Sequence, residues 1–422
     1  MKTYMVGGSL RDKFMACEAS DYDWAVVGST EQEMISRGFQ KVGADFPVFL
    51  HPETGQEYAL ARRERKTSSG YTGFKCEFGT DVTIEDDIMR RDLTVNSMAW
   101  GPLEAAPDGA ELIDPNGGEQ DIKDRVLRHT SDAFQEDPVR VLRLARFRAR
   151  FGPDWTVAPE TRDMIYQMAK RGVLNELTSE RVWKELSRAL LEPYARLFFD
   201  TLLECDALHV VFPEVYRLKT ALESHKWHPE GDAYEHTMLV LEQAVKLGGA
   251  DDDVRLTIRM CALTHDFGKG ITPRDQLPKH HGHDVKGVPV VEEFCNRNSV
   301  PAKIRDRAMK VCRYHMYMHR LLELNAKTVV RMFDAMGAGN DPEVVNFLYH
   351  LGTCDARGRL GHENADVSDK QVLLDYWQAY KSVKFSDVFQ QGEPNGNKIR
   401  DGLFKARMRA VSDVKNQKNT SI

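Results

Sequence analysis

Thr3-Tyr4-Met5-Val6-Gly7-Gly8-Ser9-Leu10-Arg11-Asp12, followed by Asp21-Tyr22-Asp23-Trp24-Ala25-Val26-Val27, sets the pattern of the amino-terminal part. A strand-like run from Thr3 to Val6 meets two glycines, and helix-compatible residues follow. A Gly-Gly turn there leaves backbone N–H groups free to face a phosphate, with Arg11 one helical turn further on to supply charge. Asp21 opens the next strand, whose two-residue period places Asp21 and Asp23 on one face. Two carboxylates side by side repel unless a cation lies between them. Magnesium, a hard ion that takes oxygen ligands and keeps positions open for substrate phosphates, suits that place. Taken singly, Gly-Gly is an ordinary turn and Asp-x-Asp an ordinary solvated strand start; their succession gives them chemical meaning.

The surrounding chain sets bounds on this reading. Its 422 residues suggest two or three domains at about 150 residues each. With 41% apolar and 29% charged residues and a mean hydropathy of −0.49, it reads as an ordinary globular chain. No apolar run approaches the roughly 18 residues of a membrane span. Gly7-Gly8 and Arg11-Asp12 interrupt the amino terminus before a signal-peptide core can form, so the expected location is cytoplasmic. Seven scattered cysteines, with no C-x-x-C pair, read as reduced thiols rather than a disulfide frame or zinc ribbon. A net charge of −6 makes the whole chain no polycation, so any nucleic-acid contact requires a local basic face.

Further short β-like runs, Trp24 to Val27, Val48 to Leu50, Tyr58 to Ala61 and Asp92 to Ala99, are separated by turn residues, giving an α+β amino-terminal part. Its seam is expected at Asp114-Pro115-Asn116-Gly117-Gly118, with a short helix after it. Within the last of these runs, Arg90-Arg91-Asp92-Leu93-Thr94-Val95-Asn96 combines phosphate-neutralising cations with hydrogen-bonding partners for a sugar hydroxyl. From Glu136 the period becomes helical. Arg140, Arg143, Arg146 and Arg150 form one stripe while Val141, Leu144 and Ala145 face elsewhere, and Arg148 falls off the stripe. Asp137 precedes Arg140 by one turn. Cytosine and adenine both present an amino donor beside a ring-nitrogen acceptor, whereas uracil and guanine present the reverse. A carboxylate next to a guanidinium therefore matches CTP and ATP and leaves groups unpaired against UTP and GTP. Ser179-Glu180-Arg181 opens a further helix, read as scaffold for the arginine helix.

Residues 225 to 319 carry His225, His228, His236, His265, His280, His281, His283, His315 and His319. Cys261-Ala262-Leu263-Thr264-His265-Asp266-Phe267-Gly268-Lys269 sets an adjacent His-Asp pair at the end of an apolar helix-like stretch, able to bridge two metals or to hold one with distant histidines. Each histidine alone reads as a surface or satisfied core residue; their joint density points to a metal-dependent unit. The tail from Ser412 to Ile422 is polar and expected to fray.

In their order, Gly7-Gly8-x-x-Arg11-Asp12, Asp21-x-Asp23 and Arg90-Arg91-Asp92-x-x-x-Asn96 resemble the head domain of class II tRNA nucleotidyltransferases, the CCA-adding enzymes and bacterial poly(A) polymerases. The resemblance implies a polymerase-β-like nucleotidyltransferase head at 1–128, an all-helical neck and body at 129–223, a helical HD domain at 224–340 and a helical carboxy-terminal region at 341–422. It implies Asp21 and Asp23 as catalytic Mg²⁺ ligands, and Gly8, Arg11, Arg91, Asp92 and Asn96 as binding the nucleotide. Asp137, Arg140 and Arg143 resemble the base-reading motif, and Thr67 to Phe74 the family's flexible loop. His236, His265 and Asp266, in L-x-H-D-x-G-K, resemble an HD-type phosphohydrolase, with His281, His283, His315 and Asp355 as candidates for the remaining ligands. A divalent transition metal is implied there, Ni²⁺ among the candidates. Bacterial family members with this domain add phosphatase, 2′-nucleotidase and 2′,3′-cyclic phosphodiesterase activities. The implied partners are tRNA, CTP and ATP, with no DNA and no membrane, in a monomer or weak homo-oligomer. The competing readings are a poly(A) polymerase, an HD phosphohydrolase whose head only binds nucleotide, and a non-enzymatic RNA-binding protein.

Overall fold

The computed structural model describes residues 1–16, 22–42, 47–66, 74–104, 109–248, 251–388 and 396–419. The chain divides into two compact units, Met1–Arg181 with Leu197–Val211, and Val182–Arg196 with Phe212–Ile422.

In the first unit, seven of the strands form one sheet among the described residues. The strands are β1 (Lys2–Val6), β2 (Asp23–Val27), β3 (Gln40–Lys41), β4 (Val48–Leu50), β5 (Glu57–Leu60), β6 (Arg62–Lys66), β7 (Phe74–Phe78), β8 (Ala99–Gly101) and β9 (Glu111–Ile113), with a separate parallel pair, β10 (Val126–Leu127) and β11 (Thr156–Val157). The sheet order is β3-β4-β5-β2-β1-β8-β9, and β6 pairs with β7 in a separate antiparallel hairpin. Strand β1 lies between β2 and β8, antiparallel to both, and its last residue, Val6, stands opposite Asp23 on one side and Ala99 on the other. That register brings the ends of three sequence motifs to one place. Tyr4, Val6, Ala25, Ile88 and Ala99 pack on one face; Val26, Met34, Phe49 and Leu60 form a second cluster.

Two local expectations change. The glycine pair is not a turn preceding a helix: the helix Gly7–Phe14 starts at Gly7 itself, with φ +69°. The run Asp92 to Ala99 is not a strand, for only β8 at its end is extended and Thr94–Asn96 form a single 3₁₀ turn. Side chains compete there with the ladder. The Asp92 carboxylate accepts from the Leu93 N–H at 2.9 Å and the Asn96 amide at 3.1 Å, and the Ser97 hydroxyl donates to the Ile88 carbonyl. At the expected seam, Asp114 accepts from the N–H groups of Gly118 and Glu119 and so caps the helix Gly118–Asp124.

The second unit is helical. Helices Ala233–Lys246, Asp252–Thr264, His283–Arg297, Ala302–His319 and Glu343–Arg357 pack on one another. Asp232 and Asp251 cap the first two. The tail expected to fray is helical through Gly396–Asn419. Its Val411 is buried, Val414 packs on a core that includes Val330, Phe333 and Trp377, and the Lys415 ammonium reaches the Leu324 carbonyl at 2.6 Å. Tertiary burial, which the polar composition of the segment does not signal, holds it.

Gly268 lets the His-Asp turn lie on the start of helix His283–Arg297. A Cβ there would collide with the His283 carbonyl oxygen and stand 2.8 Å from the Gly287 nitrogen. Gly268→Ala is therefore expected to lower stability by about 1–3 kcal/mol through forced displacement of packed backbone. Urea denaturation measures this, and an unchanged midpoint would contradict the close approach.

Candidate active sites

The first site forms where β1 ends. Gly7 carries a positive φ, and a Cβ on it would stand 2.8 Å from the Arg91 Nη1 and 3.5 Å from the Asp23 Oδ2. The positive φ favours glycine here, and a side chain would also displace the guanidinium end of Arg91. The helix it starts has no side-chain cap at its amino end. The Ser9 hydroxyl donates to the Val6 carbonyl and accepts weakly, at 3.4 Å, from the Asp23 N–H. Asp23, at the start of β2, is exposed; Asp21 and Thr67 to Gly73 of the expected flexible loop lie outside the described residues.

The neighbouring arginines are ordered by buried acids. Asp87, 2% exposed, accepts from Arg90 at 2.7 Å and Arg91 at 3.0 Å. Burial opposes its charge, but the two guanidiniums outweigh this and hold its carboxyl at about 2. Arg91 keeps its Nε buried without a hydrogen-bond partner. Asp92 accepts from Arg143 at 2.7 Å; burial again raises its pKa, and Arg143 with Asn96 and the Leu93 N–H outweighs that, leaving about 2. Arg11, beside Gly8, is buried, donates to the Asn96 side-chain oxygen at 2.6 Å and to Asp12, and lies 5.1 and 5.2 Å from the ring centroids of Phe147 and Phe151. Phe147 also faces Arg143 and Arg146. Along the stripe on helix Val139–Phe151 Arg146 is buried, Arg140 and Arg143 are half-buried, and the exposed Arg150 reaches Asp12; Arg148, off the stripe, bonds Trp155 and Glu204.

Asp137 and Arg140 each hold other partners. Both oxygens of Asp137 accept from Arg181, at 2.8 and 2.7 Å. Arg140 donates to the carbonyls of Ala133 and Arg90, both at 2.9 Å. Arg181, which lies in a segment resembling the family's E-R-x-x-x-E-L motif and was read from the sequence mainly as scaffold, fixes the carboxylate; Asp87 was not singled out. The motif match was the available signal for Arg181.

The second site gathers His236, His265, Asp266, His283, His315 and Asp355. Two groups of ligand atoms, His236 with His265 and Asp266, and Asp266 with His283 and His315, each lie within 4.8 Å. The Nδ1 atoms of His265, His283 and His315 face the carbonyls of Ala262, His280 and Cys312 at 2.8, 2.8 and 2.6 Å. A carbonyl can only accept, so Nδ1 carries the proton and each neutral ring presents the Nε2 lone pair. The Nε2 atoms of His283 and His315 face each other at 3.1 Å, and the His265 Nε2 and Asp266 Oδ1 are buried without hydrogen-bond partners. Converging lone pairs and orphaned buried atoms fit a metal cation. Burial drives the His315 pKa down to about 4. Asp266 is held well below its usual range, because the Lys269 ammonium at 2.7 Å outweighs desolvation. His236 lies between Glu230 and Asp355, both at 3.1 Å, and these outweigh its burial to put its pKa at about 9 without metal. His281 is exposed and stands on the cavity wall, outside both groups.

These features coincide with known families. A model of the poly A polymerase head domain matches residues 3–128, one described as a probable RNA and SrmB-binding site of polymerase A matches 154–218, and the HD domain model matches 233–338. Fold and site together define a nucleotidyltransferase-type head joined to an HD domain. The chain is 44% identical over 416 residues to the multifunctional CCA protein of Pasteurella multocida (strain Pm70), covering 98% of this chain and 97% of that one, and it belongs to that family. Among solved structures it resembles a CCA-adding enzyme in an apo form (20% identity, TM-score 0.67, 100% of this chain and 92% of that chain). It also resembles the Bacillus stearothermophilus CCA-adding enzyme in complex with CTP (19%, 0.60, 99% and 94%) and the Thermotoga maritima enzyme complexed with tRNA (18%, 0.59, 100% and 91%). These likenesses establish the shared fold. No helix among the described residues is long and apolar enough to cross a membrane.

The depressed Asp92 pKa carries a pH dependence. The carboxylate titrates near 2 when folded and near 3.8 when free, so its contribution is full above about 5 and lost as pH falls toward 2. Arg143→Gln is expected to cost about 2 kcal/mol at pH 6 and progressively less toward pH 3. Urea unfolding at the two pH values measures this; a pH-independent difference would refute the pairing.

Proposed function

We propose that this chain adds and repairs the 3′-terminal CCA of tRNA, using CTP and ATP without a nucleic-acid template, and that its HD domain hydrolyses phosphoesters as a phosphatase, 2′-nucleotidase and 2′,3′-cyclic phosphodiesterase. The observation that carries the first part is the convergence of Gly7, Asp23 and Arg91 at the end of β1, beside the Asp92–Arg143 pair. We assign Asp21 and Asp23 as Mg²⁺ ligands. Divalent ions there would activate the RNA 3′-hydroxyl and neutralise the leaving pyrophosphate.

The remaining roles fall to the chain's own residues. Arg91 and the uncapped amino end of helix Gly7–Phe14, with Gly8, hold phosphates, and Arg11, Asp92 and Asn96 form a buried network beside the sugar. Asp137, fixed by Arg181, offers an acceptor to the amino group shared by cytosine and adenine; Arg140 and Arg143 complete the pocket. The bidentate Arg181 contact keeps the carboxylate in one orientation, so rejection of UTP and GTP rests on geometry as well as charge. The arginine helix supplies the local basic character that the net charge of −6 does not.

In the HD domain, His236, His265, Asp266, His283, His315 and Asp355 are assigned as ligands to a divalent transition metal, Ni²⁺ among the candidates, with Asp266 shared between the two ligand groups. Such a metal would activate water for attack on a phosphoester. We assign the domains to 1–128, 129–223, 224–340 and 341–422, working as a monomer or weak homo-oligomer in the cytoplasm, with tRNA rather than DNA as nucleic-acid partner.

Purified protein given tRNA lacking its last three nucleotides, with CTP, ATP and Mg²⁺, is expected to yield ends reading CCA. A long A tail would indicate a poly(A) polymerase, and no addition would leave the hydrolase or binding readings. Asp23→Ala should abolish addition. Asp137→Ala should relax base choice by roughly 5- to 150-fold, the factor that corresponds to about 1–3 kcal/mol for a lost base-specific pair. Unchanged selectivity among the four nucleotides would end its base-reading role. His265→Ala should lose both the bound transition metal and phosphoester hydrolysis.

A further inference from the structure

A cavity of about 560 Å³ lies over the histidine cluster. Apart from Asp266, whose free oxygen faces the histidine cluster, its acids are already matched: Glu223 by Lys269 at 2.5 Å, Asp284 by Arg313 at 2.6 Å, and Asp355 by His236 and His319. Two cations on its wall are not. Among the described residues neither Lys279 nor Arg359 has an ion pair, and the Arg359 Nε is buried without a hydrogen-bond partner. A buried donor left unmade is costly, and an oxygen from a bound anion relieves it.

The backbone at Arg359 is tied to the elements that carry the histidine cluster. It follows helix Glu343–Arg357, which carries Asp355. On one side of it Gly358 lies against the helix that bears His236; a Cβ on Gly358 would stand 2.5 Å from the Val240 Cγ2 and 2.8 Å from the Val240 nitrogen. On the other side the Leu360 N–H reaches the Glu230 Oε2 at 3.3 Å, and the other oxygen of Glu230 faces the His236 Nδ1. The arginine is thus anchored at both neighbours to the elements that place His236. A planar guanidinium so positioned matches phosphate geometry.

The rim carries a second feature. Trp227 lines the cavity and is 59% exposed, with the Lys226 ammonium 4.8 Å from its ring centroid. The next residue, His228, is pinned between Glu223 at 2.9 Å and Glu230 at 3.0 Å, so the indole is carried by a fixed backbone. An exposed aromatic ring on the edge of a cavity whose wall carries two unmatched cations is a platform for a nucleobase.

We propose that this cavity binds a nucleotide, with Arg359 holding its phosphate against the histidine cluster, Lys279 supplying a second positive charge and Trp227 stacking on the base. The assignment rests on the phosphoester-hydrolase reading of the HD domain and adds the residues that select its substrate.

Full-length protein loaded with Co²⁺, in excess Mg²⁺ to saturate the head domain, allows binding to be read apart from turnover. Inorganic phosphate and AMP are titrated while the visible cobalt absorption is followed. Arg359→Gln is expected to weaken both by roughly ten- to 100-fold with cobalt content and thermal stability unchanged, and Arg359→Lys to recover part of the loss. Trp227→Ala is expected to weaken AMP by about tenfold and leave inorganic phosphate as in the wild type. The proposal is overturned if wild-type protein shows no phosphate response, if Arg359→Gln binds phosphate normally, or if Trp227→Ala affects both probes equally. If both probes bind as expected but no phosphomonoester is hydrolysed, the hydrolase reading fails and the binding assignment stands; if the chain takes up no cobalt, both fail.

Discussion

A carboxylate taken out of water must be met by cations or by hydrogen-bond donors, and the buried aspartates of this chain organise the groups around them. Asp87 gathers Arg90 and Arg91; Asp92 gathers Arg143, Asn96 and the Leu93 N–H. In the second unit Asp266 gathers Lys269 and three histidines. Each acid serves as a local template that fixes the direction of side chains which would otherwise sample many rotamers. Removing one member would leave the others as buried uncompensated charge, which is why such clusters behave as units.

The two sites use this constraint differently. Around Asp87 and Asp92 each carboxylate is met by guanidiniums, and the Arg91 guanidinium stands over Gly7. Around Asp266 the balance is incomplete: three rings have their Nδ1 protons committed to backbone carbonyls, and their Nε2 atoms converge with a carboxylate oxygen that lacks a partner. A cation completes the second arrangement. The first needs none for its own cohesion, and Asp23, at the start of β2, stays exposed beside it.

Much of this was legible in the sequence because the signals are local. The strands β1, β2, β4 and β5 follow short apolar runs, the helix ending at His265-Asp266 follows its apolar stretch, and the cap at Asp114 follows a turn cluster. Where the local rule failed, a competing interaction of comparable strength was present. Asp92 and Asn96 turned a strand-like run into a 3₁₀ turn through bonds to their own backbone and to each other. The polar tail became the helix Gly396–Asn419 because Val411 and Val414 found a core supplied by residues far back in the chain.

Local sequence set out the chemical groups at hand: glycines able to take a positive φ, paired acids, arginines at helical spacing and a dense run of histidines. Which of them meet is a matter of packing. Asp137 stands three residues from Arg140 yet is gripped by Arg181, and Asp92 is matched by Arg143 on a distant helix. His283 and His315 meet Asp266, while His281, beside one of them in sequence, faces solvent. The reason is physical: secondary-structure periods specify which face a side chain occupies, whereas charge compensation in a buried site is settled by whichever donors the packed backbone brings within hydrogen-bond reach.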